Sequence, residues 1–135
     1  MKLRIKGNSL RLRISPSDMT RLIQSGRVEE TIYFGAGDDA RLTYALEHSP
    51  QTATTTLRYA PQEVTVVVAS REAYQWAESH NVGLYGGTNT THGPLELSVE
   101  KDYACLDKND AANADTFPNP AGEQSADTLA DGALT

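Results

Sequence analysis

One order of elements appears twice along this chain, and it restricts the fold more than any other feature of the sequence. KLRIK and SLRLRI read as strands, SPSDMTRLIQSGR as a helix, VEETIYFG and RLTYALEH as strands. The same order then returns. TTLRYA and EVTVVVA are strands, REAYQWAESHN is a helix, and VGLYGG and PLELSVEKDY are strands. A strand-strand-helix-strand-strand unit made twice implies an α+β fold of about eight mostly antiparallel strands with two helices. Two such units can build a pseudo-twofold sandwich or a closed barrel, either of which leaves few free edges. TIYFG and VGLYG stand in equivalent places in the two units on this reading.

The first hairpin can be registered on paper. Gly7-Asn8 suits a two-residue turn. With Lys6 opposite Ser9, Ile5 faces Leu10 and Leu3 faces Leu12. Strand alternation then puts these apolar side chains on one face and Lys2, Arg4, Lys6, Arg11 and Arg13 on the other. In the first helix Ser15 is a cap, Pro16 suits the first position, Asp18 completes a capping box and Gly26 fits just past the end. Met19, Leu22 and Ile23 share one face. In the second helix Ser70 reads as the cap, with Ala73, Trp76 and Ala77 turned inward. Gly35 to Asp39 read as a turn-rich loop, as does GGTNTTHGP, Gly86 to Pro94. His48 reads as part of a connecting loop before Ser49-Pro50. Tyr33, Tyr44, Tyr59, Trp76 and Tyr85 fall at strand or helix spacing and are expected in the core.

Charge divides the chain. Of its 135 residues, the first 104 carry 11 Lys or Arg and 12 Asp or Glu. The remainder sets Lys108 against six acids, so the net charge of −6 resides almost wholly in the tail. These proportions argue against nucleic-acid binding, where cations on phosphates supply most of the affinity. No apolar run approaches the roughly 20 residues of a membrane span, and MKLRIKGNSL lacks the continuous apolar stretch of a signal peptide, so a cytoplasmic protein is expected. One cysteine excludes an internal disulfide and multi-cysteine zinc sites. Residues 1–106 are expected as one domain and 107–120 as an extended segment anchored on it by Phe117. The acidic residues 121–135 bury too little to offset ordering entropy and are expected to be disordered.

Chemistry has three candidate homes. Five of the domain's cations lie on the basic face of the hairpin, Lys2, Arg4, Lys6, Arg11 and Arg13, which suits an anion because guanidinium forks match phosphate and carboxylate oxygens. Tunnel-shaped barrels that bind triphosphates use such a lining, but their first strand carries paired acids that KLRIK lacks. Glu96 and Glu100, on one face of LELSVE, could hold a cation or pair with the arginines across the strands. The second home is Cys105, open to three readings: metal ligand, nucleophile or small core residue. As a ligand it would join Asp107 and His92, with Asp102, Asp110 or His80 in reserve, around a transition metal such as zinc. The carboxylates near it would raise its thiol pKa and hinder attack. The third is the Gly- and Thr-rich loop with His92 as a base or ligand. It is no phosphate loop, because no helix follows it.

The blocks KLRIKGNSLRLRI and LSVEKDYACLDK…DTFPNP, with VGLYG between them, resemble a family of short bacterial proteins of unknown function over nearly all of residues 1–120. The resemblance implies an intact bacterial cytosolic domain and brings no catalytic residue. The expectation is therefore a small non-enzymatic binding or accessory domain without a cofactor. Its ligand would be a small anion or a protein partner at the basic hairpin, and a free sheet edge could pair two copies as a homodimer. The alternative is a metal-binding protein or metal-dependent enzyme built on Cys105.

Overall fold

A computed structural model describes residues 1–105 and 114–120. Eight strands and two helices follow one another as β1 (Lys2–Lys6), β2 (Ser9–Ile14), α1 (Pro16–Ser25), β3 (Arg27–Tyr33), β4 (Arg41–Ser49), β5 (Thr56–Ala60), β6 (Glu63–Ala69), α2 (Ser70–Glu78), β7 (Gly83–Thr90) and β8 (Gly93–Lys101). The double ββαββ order is present. The strands form two mixed sheets rather than a closed barrel. One, sheet A, has the order β1-β2-β8-β7; the other, sheet B, has β3-β4-β6-β5. Four hairpin pairings are antiparallel, and each sheet has a parallel pair at its centre, β2 with β8 and β4 with β6.

Each half therefore contributes one hairpin to each sheet. Replacing β1, β2, β3 and β4 by β5, β6, β7 and β8 turns the order of sheet A into that of sheet B. The registers agree. Leu3, Leu12 and Ile14 correspond to Leu57, Val66 and Val68, each 54 residues later. The same offset continues through the helices, from Met19 to Ala73 and from Leu22 to Trp76, all four buried. TIYFG and VGLYG are not equivalent, however: Gly83 opposite Glu100 matches Arg27 opposite Glu47, so VGLYG opens β7 whereas TIYFG closes β3.

The first hairpin has the register deduced from its pattern, Leu3 opposite Leu12 and Ile5 opposite Leu10, with Gly7 in the left-handed region at φ 56°. Around α1 the Ser15 hydroxyl accepts from the Asp18 amide and the Asp18 carboxylate accepts from the Ser15 amide. Gly26 closes the helix at φ 81°. In α2 the expected cap is displaced by one residue. Ala69 takes the extended cap conformation, and the Ser70 hydroxyl lies 2.7 Å from His48 Nδ1. His48 accordingly sits in β4 rather than in a loop.

Leu10, Leu12, Ile14, Leu97 and Val99 of sheet A, Val28, Leu46, Val66 and Val68 of sheet B, and the inner faces of both helices join in one core cluster. The edges of the two sheets also touch. Thr55 bridges Gly86 beside β5 and β7, and at the corresponding place in the other half the Met1 ammonium binds Glu30 beside β1 and β3. Phe117 bridges Tyr103, and Asp115 accepts from the Ser17 amide. Residues 121–135, Asp107 and Asp110 lie outside the described residues. Among the described residues no helix is long and apolar enough to cross a membrane.

Candidate functional site

Alternation along four strands assembles the outer face of sheet A. Its middle row runs Arg4, Arg11, Ser98 and Tyr85, each in register with the next. On one side lie Lys6, Ser9, Glu96 and Gly87, and on the other Lys2, Arg13, Glu100 and Gly83. The five basic residues expected together are thus together, on the side opposite the core residues Leu10 and Leu12. Arg4, Lys6, Arg11, Tyr85, Glu96 and Ser98 line an open depression of about 580 Å³.

Two of these cations have carboxylate partners. Arg11 Nε donates to Glu100 Oε1 at 2.5 Å, and Lys2 reaches Asp102 at 2.8 Å. Glu100 therefore pairs with an arginine across the strands. Its other oxygen accepts from the Tyr85 hydroxyl at 2.8 Å. Burial first, and then this bond to a carboxylate, push the Tyr85 phenol up to about 12, so Tyr85 is a donor at neutral pH. Among the described residues Arg4, Lys6 and Arg13 make no ion pair. Arg4 and Arg11 are cross-strand partners, and of the two only Arg11 has a carboxylate against it among the described residues.

Tyr85 was expected in the core. It is 59% exposed, and Tyr33 and Tyr59 are exposed as well, whereas Trp76 is fully buried and Tyr44 half-buried. The spacing was sound, but it cannot tell which face of a strand meets the core. Tyr85 shares its face with the arginines because β7 pairs with β8 in the register that sets it beside Ser98.

Of the Cys105 set, Cys105 and His92 lie beyond opposite ends of β8. His92 caps the turn before β8, its amide bound to Thr90 Oγ1, and Cys105 lies beyond the other end of that strand. Nine residues of strand span about 27 Å at the usual rise. Even a chain doubled straight back from Lys101 would leave the Cα atoms of His92 and Cys105 about 13 Å apart. Asp107 lies outside the described residues, and Asp102 is taken by Lys2. Among the described residues no three of His, Cys, Asp and Glu gather as metal ligands would. Cys105 itself is exposed rather than part of the core. The loop expected from Gly86 to Pro94 is also absent: β7 continues to Thr90 and β8 begins at Gly93, leaving His92 in a tight turn.

This chain belongs to a family of unknown function, DUF7009, which matches residues 1–121. No curated protein and no solved structure matches it.

Proposed function

We propose that this protein is a small binding domain whose ligand is a multivalent anion, phosphate- or carboxylate-bearing, held on the outer face of sheet A by Arg4, Arg11 and Lys6. Ser98 adds a hydroxyl donor in the same depression, beside Tyr85 and Ser9, whose hydroxyls donate to Glu100 and to the Lys6 carbonyl. Sheet B supplies the observation that carries this reading. Its outer face is built in the same way, yet it is neutralised from within.

Arg58 stands where Arg4 stands, 54 residues later, and it grips Glu47 with two bonds of 2.8 and 3.1 Å. Arg27 binds Glu47 and Glu63 alongside. That face carries Arg27, Arg41 and Arg58 against Glu29, Glu47 and Glu63, so its charges cancel. Sheet A has five cations on its face, with Glu96, Glu100 and the Asp102 that holds Lys2 against them, which leaves a positive excess. The fold tolerates a neutral face at this position, so the positive excess on sheet A is not required by the architecture. A bidentate arginine pair with a nearby lysine is the donor set that a multivalent oxyanion needs.

Titration with inorganic pyrophosphate, followed by amide chemical shifts, tests this. Shifts should centre on Arg4, Arg11 and Tyr85 and weaken as salt is raised from about 20 to 200 mM, because exposed charges are screened. Arg4→Glu and Lys6→Glu, both exposed and therefore tolerated by the fold, should each weaken binding about tenfold or more, which is about 1.4 kcal/mol. Undiminished binding in both variants would refute the reading.

A further inference from the structure

A second cleft lies at the other end of β8, and one of its walls is a buried lysine. Alternation along β8 puts Lys101 on the same face as Leu97 and Val99, where an apolar residue would be expected. In register it faces Ile14, which is fully buried. Lys101 is 6% exposed. Lysine is almost never this buried unless it is paired. Among the described residues Lys101 has no carboxylate within ion-pair distance. Its Nζ donates to the Ser79 carbonyl at 2.6 Å and stands 5.4 Å from the centre of the Phe117 ring.

Capping accounts for part of this. Ser79 closes α2, and a cation at a helix C-terminus is favourable. Capping does not require burial, however, and an ammonium has three donors, of which Ser79 takes one. Lys101 also lines an open cleft of about 630 Å³ together with Glu78, Ser79, His80, Tyr103, Phe117 and Pro118. The volume is that of a small-molecule site, with an apolar wall of Val82, Phe117 and Pro118 facing the ionisable Glu78, His80 and Lys101. Burial lowers the Lys101 pKa, as expected of a cation without a counter-charge.

We propose that this cleft binds a small organic monocarboxylate, with its carboxylate on Lys101 Nζ and its apolar body against Phe117 and Pro118. A carboxylate would supply a counter-charge that none of the described residues provides, and the aromatic and proline wall would cover the ligand's flat or aliphatic part. The site is independent of the basic face of sheet A and shares none of its cations.

Benzoate is the probe, with benzamide as its neutral isostere. Titration of the whole protein should shift the amides of Ser79 to Val82, Lys101 and Phe117, with benzamide at least about tenfold weaker. Lys101→Met should abolish the benzoate response, and Phe117→Leu should weaken it while the spectrum stays folded. Arg4→Glu should leave it unchanged, which separates this cleft from the pyrophosphate site. Equal responses to benzoate and benzamide, or shifts centred on Arg4 and Tyr85, would overturn the proposal. If Lys101→Met unfolds the chain, Lys101→Arg is the second variant. It keeps the charge but not the fit, and must lose about tenfold in benzoate affinity; unaltered affinity refutes the site.

Discussion

Asp18 joins three roles in one buried carboxylate. It completes the α1 capping box, receives the Met1 ammonium at 2.9 Å and lies 3.6 Å from Arg21. Burial alone would raise its pKa, but the Ser15 amide and the Met1 ammonium together hold it below the usual aspartate value. The Met1 ammonium, which burial would lower, is held above its usual value by Asp18 and Glu30. The signs define a window. A depressed acid contributes its full stability above its unfolded pKa of about 4 and loses it as pH falls through the folded value. A raised amine contributes fully below about pH 8 and loses its share as pH rises through its folded value. Stability from this pair is therefore greatest between those limits. Asp18→Asn keeps a capping side chain but strands the ammonium beside Glu30 alone. It should cost about 2–3 kcal/mol at pH 6, and chemical denaturation should show that difference shrinking below pH 4. Trp76 is the opposite kind of residue, wholly buried with its indole nitrogen bound to the Val82 carbonyl at 3.1 Å. Trp76→Ala should cost about 3–5 kcal/mol in the same assay at any pH in that range.

Elements differ in how openly their residues announce them. The first hairpin and α1 were legible because their signals are local: alternation on both strands, a turn of Gly and Asn, Ser15, Pro16 and Asp18 at the start, Gly26 at the end. The segment from Gly86 to Thr90 was misread because Gly, Thr and Asn favour turns when isolated. Here they form an edge strand through bonds to β8, whose residues lie only a few positions further on. Glycine serves β7 for a steric reason. A Cβ on Gly86 would stand 2.3 Å from the Thr55 carbonyl oxygen, where the edges of the two sheets touch. Gly86→Ala should therefore part the sheets or bend β7, at about 1–3 kcal/mol, with amide shifts at Thr55 reporting the lost bridge. Gly7→Ala is the control. Nothing lies within 4 Å of a Cβ there, so only the left-handed backbone is strained, at about 1 kcal/mol, and Thr55 should not move. The basic face of the site was legible for the same reason as the hairpin. Its tyrosine wall was not, because the pairing that brings Tyr85 beside Ser98 joins strands whose facing is set by the whole sheet.

At the scale of the molecule the double order of elements was visible, but its consequence was not. Counting strands leaves open whether the two ββαββ units build a sandwich or a closed barrel. The central parallel pair of each sheet, β2 with β8 and β4 with β6, joins the two halves. Parallel neighbours cannot be joined by a short turn and leave no local mark in sequence. Each half alone would expose one face of two separate hairpins and one helix, and isolated two-stranded hairpins are marginal in water. Residues 1–54 and residues 55–121, made as separate chains, should therefore each show the narrow amide dispersion of unfolded peptides. Mixed at equal concentration, they should regain the dispersed spectrum of the intact protein, because both central pairings form only between them. The Thr55 bridge to Gly86 would form within the second fragment, whereas the Met1 link to Glu30 and Asp18 would form within the first. Those contacts cannot by themselves drive assembly. A folded spectrum from either fragment alone would show that one half closes its own core, and the exchange of hairpins between sheets would then be secondary to folding. Reconstitution would establish that the parallel β2–β8 and β4–β6 seams are what make two repeated units one molecule, with the basic face of sheet A assembled from both.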